Sequence, residues 1–182
     1  RGRGFAPQLL ERVEQLEQCQ GAALSVLYSD IEPSYYARLG YVLCPALQGW
    51  RVPAAVTTCY RLVGFSPEEH VNELMQLYNG DHGAAPLSFA RNAEYWGAML
   101  KKFPGDAFYW LLDAEDQHAG YVRIGHKDDS WRVTDFALAH PSDEIAAQMY
   151  AALLNLAQQH DVRRVGGWMP NSAGARQYFN LQ

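Results

Sequence analysis

Apolar residues recur at spacings of three and four from the start of the chain. Phe5, Leu9, Leu10, Val13 and Leu16 fall on one stripe, with Glu11, Arg12, Glu14, Gln15, Glu17 and Gln18 opposite. The spacing predicts an amphipathic helix with Pro7 in its first turn, where a missing N–H costs nothing, and Gly21 at its exit. The apolar run Ala22–Tyr28 predicts a buried strand. A short helix is predicted over 34–39, entered through Pro33 and left through Gly40. Tyr41–Cys44 and Ala55–Val63 predict further strands, the second around the β-favouring Val56-Thr57-Thr58-Cys59-Tyr60.

The pattern restarts at Ser66. Ser66 can cap a helix that has Pro67 at its first position, Glu68 and Glu69 in its first turn, and a run to Tyr78. Ala90–Phe103 predicts a second helix, closed by Pro104-Gly105, whose Tyr95, Trp96, Met99 and Leu100 share a face. Strands are predicted at Ala107–Leu112, Gly120–Gly125 and Trp131–Ala139, with polar turns at 113–117 and 127–130. A long helix Asp143–Gln159, a strand Arg163–Met169 and a helix Asn171–Phe179 complete the chain.

The opening Arg1-Gly2-Arg3-Gly4-Phe5-Ala6 changes what this pattern means. Two glycines in four residues let several backbone N–H groups converge, and a helix beginning there adds its unpaired N–H groups and the positive end of its dipole. Loop and helix together make a phosphate cradle; the alternative is a flexible basic end. Composition narrows the classes. A chain of 182 residues, 48% apolar with five Trp, can build a core. A net charge of −5 argues against general nucleic-acid binding. No apolar run reaches the roughly 20 residues of a membrane span. Cys19, Cys44 and Cys59 lack metal spacing and read as reduced thiols of a cytoplasmic protein. The six histidines are scattered, so no metal site is expected.

Arg1, Gly4 and Ala6 before an amphipathic helix resemble the Gln/Arg-x-x-Gly-x-Gly/Ala pyrophosphate loop of the GNAT acetyltransferases. One helix and one strand later, Tyr36-Ala37-Arg38-Leu39-Gly40-Tyr41 is similar to that family's second block. The order from 64 onward is again similar: two helices, three strands, a long helix, a strand and a helix. The resemblance implies an α/β (α+β) fold. Its sheet is mixed and mainly antiparallel, twisted and flanked by helices, and it occurs in two tandem copies. Residues 1–63 would be the C-terminal half of a first domain, and 64–182 a second, degenerate one. In that fold, strands and helices precede the loop and further strands follow the last helix. Both ends of the chain are therefore expected to be cut.

The resemblance also implies direct transfer of an acetyl group from acetyl-CoA to a primary amine. Arg1, Gly2, Arg3, Gly4, Phe5 and Ala6 would hold the diphosphate. Tyr36 would be the acid, since a phenol with a reference pKa near 10 stays protonated at neutral pH. The alternative is that Tyr36, with Tyr28, Tyr35 and Tyr41, is a packing aromatic. Asp30 and Glu32 stand as either bases or solvated loop carboxylates, and Arg38 is expected in an ion pair. His82 and Arg91 would border an acceptor groove if the family analogy holds, or serve only their loop. The acceptor would be a small molecule: an amino acid, a polyamine or an aminoglycoside. The alternatives are a protein N-acetyltransferase and a non-catalytic acyl-CoA-binding or scaffold protein. In the second copy, Ala139-His140-Pro141-Ser142-Asp143-Glu144 stands where the phosphate loop belongs. It has no glycine, and its two carboxylates would repel a diphosphate. If Phe179 takes the tyrosine position, this copy lacks a proton donor as well.

Overall fold

The structure is a computed structural model that describes residues 5–27, 32–44, 46–85 and 88–182. The chain divides into two compact units, Arg1–Pro45 and Ala46–Gln182. The expected boundary between 63 and 64 falls instead within a strand of the second unit.

In the first unit, α1 (Phe5–Cys19) follows the predicted stripe. It ends where expected: Gly21 adopts φ +94°, and the Ala22 N–H returns to the Glu17 carbonyl at 3.0 Å. No residue of α1 is buried, and Phe5 and Leu9 are 66% and 67% exposed. α2 (Pro33–Ala37) has Pro33 at its start and Gly40, at φ +91°, just past its end. The strands expected at Ala22–Tyr28 and Tyr41–Cys44 do not form over residues 22–27 and 41–44, and Tyr28 lies outside the described residues. A strand needs a ladder partner, and the described residues of this unit include none.

The second unit is built on one six-stranded sheet. Its strands are β1 (Leu47–Arg51), β2 (Arg61–Phe65), β3 (Ala107–Leu112), β4 (His118–Lys127), β5 (Ser130–Leu138) and β6 (Arg164–Met169). Their order across the sheet is β1-β6-β5-β4-β3-β2, with every pair antiparallel except β5 and β6. The helices are α3 (Val71–His82), α4 (Ala93–Lys102), α5 (Asp143–Gln159) and α6 (Ala173–Tyr178). α5 is the crossover that the parallel pair requires. Its Ala146, Met149, Tyr150, Leu153 and Leu154 pack with Val133, Val165 and Phe179 in one core. Leu74, Trp96 and Met99 of α3 and α4 pack with Phe108, Trp110 and Tyr121 in another. β3 therefore sends Phe108 and Trp110 to one layer and Tyr109 toward the other, as strand alternation demands. Tyr95 alone leaves the predicted α4 face and stays 47% exposed.

Two further expectations need correction, and one strand is new. Ser66 caps nothing with its side chain; a 3-10 turn, Pro67–His70, precedes α3. Only the end of Ala55–Val63 is a strand. Upstream of it, the Asn155 amide takes the place of a partner, accepting from the Val56 N–H and donating to the Val56 carbonyl, each at 2.7 Å. β1 was not expected from the sequence. It enters at the sheet edge because Gly166 and Gly49 leave room: a Cβ on Gly166 would lie 2.1 Å from the Gly49 carbonyl, and one on Gly49 would lie 2.7 Å from the Phe179 Cβ.

Candidate functional site

Arg1, Gly2, Arg3 and Gly4 lie outside the described residues. Phe5 and Ala6 are the first two residues of α1, whose first turn carries no acidic side chain. An anion at this helix start would meet unpaired N–H groups and no opposing carboxylate.

Tyr36 sits half-buried on α2. Its ring meets Tyr35 edge-on at 5.1 Å and Tyr41 at 5.9 Å. The Tyr41 hydroxyl donates to Glu14 Oε1 at 2.5 Å and lies 2.9 Å from Ser25 Oγ. The Glu14 hydrogen bond is the main reason the Tyr41 phenol is held above its ordinary pKa. This bond ties the aromatic cluster to α1 at a point about 12 Å along the helix from Ala6, at 1.5 Å per residue. The unit therefore joins α1 to the cluster that holds Tyr36. Asp30 lies outside the described residues. Glu32 precedes α2 without a side-chain cap, and Arg38 places its guanidinium 5.8 Å from the Tyr35 ring centre.

The start of α5 has the opposite character. Ser142 Oγ accepts from the Ile145 N–H at 3.1 Å, and Asp143 and Glu144 occupy the first turn. The site that an anion would use is thus met by the helix's own groups. α6 closes on the same turn: a Cβ on Gly174 would lie 2.5 Å from the Asp143 carbonyl oxygen. The shallow depression between α5 and α6, about 290 Å³, is lined by Asp143, Glu144, Gln148 and Gln177. These groups suit a cation better than a diphosphate. Phe179 is 2% exposed and packs edge-on against Tyr150 at 5.2 Å, so it is a core residue.

His82 and Arg91 are both committed inside the fold. His82 Nε2 donates to the Phe136 carbonyl at 2.8 Å. Arg91 pairs with Asp135, and its guanidinium lies 3.5 Å from the Tyr78 ring centre. Asp135 also accepts from the Tyr121 hydroxyl at 2.8 Å, and burial next to that carboxylate drives the Tyr121 pKa well above its ordinary value. The sequence carried one signal of this cluster. Asp135 interrupts a strand in which aspartate is disfavoured, and such a residue needs a cation. No group of three potential metal ligands converges among the described residues, and none of their helices is long and apolar enough to cross a membrane.

No protein-family model and no curated protein matches the chain. Solved structures do. A probable N-acyltransferase of unknown function from Enterococcus faecalis V583 superposes with a TM-score of 0.66 at 15% identity, over 100% of this chain and 48% of that one. A GCN5-related N-acetyltransferase from Kribbella flavida gives 0.65 at 18% identity, over 99% and 44%. A tandem GNAT protein from the clavulanic acid biosynthesis pathway gives 0.50 at 17% identity, over 94% and 63%. The chain spans about half the length of the first two. At these identities the likeness establishes the fold: a mixed α/β sheet with flanking helices, as in the GCN5-related N-acetyltransferases.

Proposed function

We propose that the chain is part of a tandem GNAT-type N-acetyltransferase that uses acetyl-CoA. In this reading Arg1–Pro45 contributes to the catalytic copy, and the sheet-bearing unit is a degenerate second copy that supports it. The observation that carries the proposal is the pairing within the first unit. α1 has no acid in its first turn, and Tyr36 packs in a cluster hydrogen-bonded to the same helix. The residues fit the group: Arg1, Arg3 and the backbone N–H groups of Gly2–Ala6, with no carboxylate in the helix's first turn, would hold a diphosphate.

Acetyl-CoA supplies a thioester activated for attack. The amine must reach the reacting carbonyl as the free base; as its nitrogen bonds the carbonyl carbon and the carbon–sulfur bond breaks, the Tyr36 phenol would give its proton to the departing sulfur and regain one, through solvent, from the acylated nitrogen. A cationic acceptor suits the chain's net charge of −5, and a small amine such as an amino acid, polyamine or aminoglycoside is the proposed class. The exposed thiols of Cys19, Cys44 and Cys59 suit a reducing, cytoplasmic setting.

Thermal unfolding of the full-length polypeptide with acetyl-CoA tests binding. At 100 times the dissociation constant, stability should rise by about 2.7 kcal/mol. Tyr36→Phe should keep that shift while lowering turnover in a thiol-release assay with an amine panel. No shift would refute any acyl-CoA role, and unchanged turnover would refute Tyr36 as the acid. A shift without thiol release from any amine would favour a non-catalytic binding protein.

A further inference from the structure

β5 and β6 run side by side only from Ser130 to Val133 of β5. Gly167 then turns β6 through φ +139°, and β5 continues to Leu138 with no strand on that side among the described residues. The direction of its free backbone groups is fixed by the other neighbour. The Ala139 N–H donates to the Ala119 carbonyl at 2.9 Å, so the groups of residues 136 and 138 face away from β4. An open strand edge with a carbonyl at one residue and an N–H two residues on is a template for an extended amide chain.

That template is already filled. The Phe136 carbonyl accepts from His82 Nε2 at 2.8 Å, and the Leu138 N–H donates to Asp81 Oδ2 at 2.8 Å. Two consecutive side chains from the last turn of α3 thus supply the donor and the acceptor that a ligand's amide would supply. They are held in place. The His82 ring packs 4.6 Å from Tyr78, and Ser88 Oγ donates to the His82 carbonyl at 2.5 Å. The carboxylate of Asp81 is 11% exposed.

The geometry points to a self-occupied binding edge. Asp81 and His82 clamp the strand edge that leads into the 139–142 loop and exclude the amide-bearing arm of an acyl carrier from the second unit. This rests on reading that unit as a degenerate acyltransferase copy. It adds a steric and hydrogen-bonding cause of degeneracy to the electrostatic one at Asp143 and Glu144.

The test follows the backbone amide of Leu138 by NMR in the full chain, with pantetheine, a phosphate-free diamide, as the probe. Wild-type protein should show no shift change at Leu138 with pantetheine. Asp81→Ala should speed Leu138 hydrogen exchange about tenfold, the worth of one lost hydrogen bond, while Asp81→Asn, which keeps an acceptor, should not. The double variant Asp81→Ala, His82→Ala should gain a pantetheine-dependent shift at Leu138, with sheet amides such as Val122 reporting that the fold persists. A shift in the wild type, unchanged exchange in Asp81→Ala, or no shift in a folded double variant would each overturn the clamp. The wild-type measurement decides even if the variants fail to fold. Leu138 reports on this unit alone, so the outcome is separable from acetyl-CoA binding at α1.

Discussion

Replacing Asp135 by Asn removes one charge from the Arg91–Asp135 pair and almost no volume. The side chains are 14% and 8% exposed, so solvent cannot take over the role of the missing partner. Guanidinium does not shed its proton at any ordinary pH, and Arg91 stays charged. Breaking a buried pair on one side costs about 3–5 kcal/mol. Asparagine keeps one oxygen to accept from Arg91 or from the Tyr121 hydroxyl, and the Tyr78 ring 3.5 Å away still attracts the cation. These lower the expected loss to about 2–4 kcal/mol. At an m-value near 2 kcal/mol per molar urea, the midpoint should fall by about 1–2 M, with m itself unchanged.

Urea titration followed by tryptophan fluorescence reads this directly, since Trp96 lies 5.4 Å from the Arg91 guanidinium. The double variant Arg91→Met, Asp135→Asn removes the stranded cation and should be more stable than Asp135→Asn alone. A loss below about 0.5 kcal/mol for the single variant, typical of a surface substitution, would refute the reasoning. So would a double variant whose loss is the sum of the two singles, because contacting residues in one network do not add.

Two other sites give sharp expectations. The Tyr150 hydroxyl is buried without a hydrogen-bond partner among the described residues, and burial raises its pKa above the ordinary 10. Tyr150→Phe should therefore be neutral or stabilising by up to about 2 kcal/mol at pH 7, since it removes an unpaid desolvation penalty. The folded state holds this proton more tightly than the unfolded chain, so stability falls as pH rises above about 10, by up to about 1.4 kcal/mol per pH unit for this tyrosine. Tyr150→Phe should flatten that alkaline slope in urea titrations; an unchanged slope, or destabilisation above 1 kcal/mol on the usual mutational scale, would count against it. Gly166→Ala would place a Cβ 2.1 Å from the Gly49 carbonyl and 2.8 Å from the Trp50 Cα. It should cost about 1–3 kcal/mol and accelerate amide exchange along β1 more than along β4; uniform or absent acceleration would refute the close packing.

What the sequence disclosed depended on how local each constraint is. α5 and β3 were readable because one helix period and one apolar run state their burial, and both formed at their expected bounds. β1 was not readable. Leu47-Gln48-Gly49-Trp50-Arg51 shows no alternation, and its partner β6 lies more than a hundred residues away, with Leu47 opposite Met169. Residues 55–60 carry β-favouring side chains, yet Asn155 satisfies the Val56 backbone from a helix. At the site, α1 was legible from its apolar stripe. The clamp was not, because Asp81 and His82 acquire meaning only once the β4–β5 register decides which backbone groups face outward.

The two long helix starts also rank the forces at work. α5 carries its own serine cap, its own carboxylates and nine buried side chains, so it needs no ligand to be stable. α1 has fifteen residues and buries none of them, and a helix of that length is marginal in water on its own. An anion at its N-terminus would contribute about 0.3–2 kcal/mol through the dipole. Covering Phe5, Leu9, Val13 and Leu16 would contribute about 1.5–3 kcal/mol for each side chain fully buried. The apolar term is therefore the larger one. If acetyl-CoA binds at this turn, its affinity is set chiefly by how completely that stripe is packed, because the N–H groups it needs are only in place once the helix is held. Binding and burial of α1 are then two readings of one equilibrium, and perturbing Leu9 should weaken the ligand without touching it.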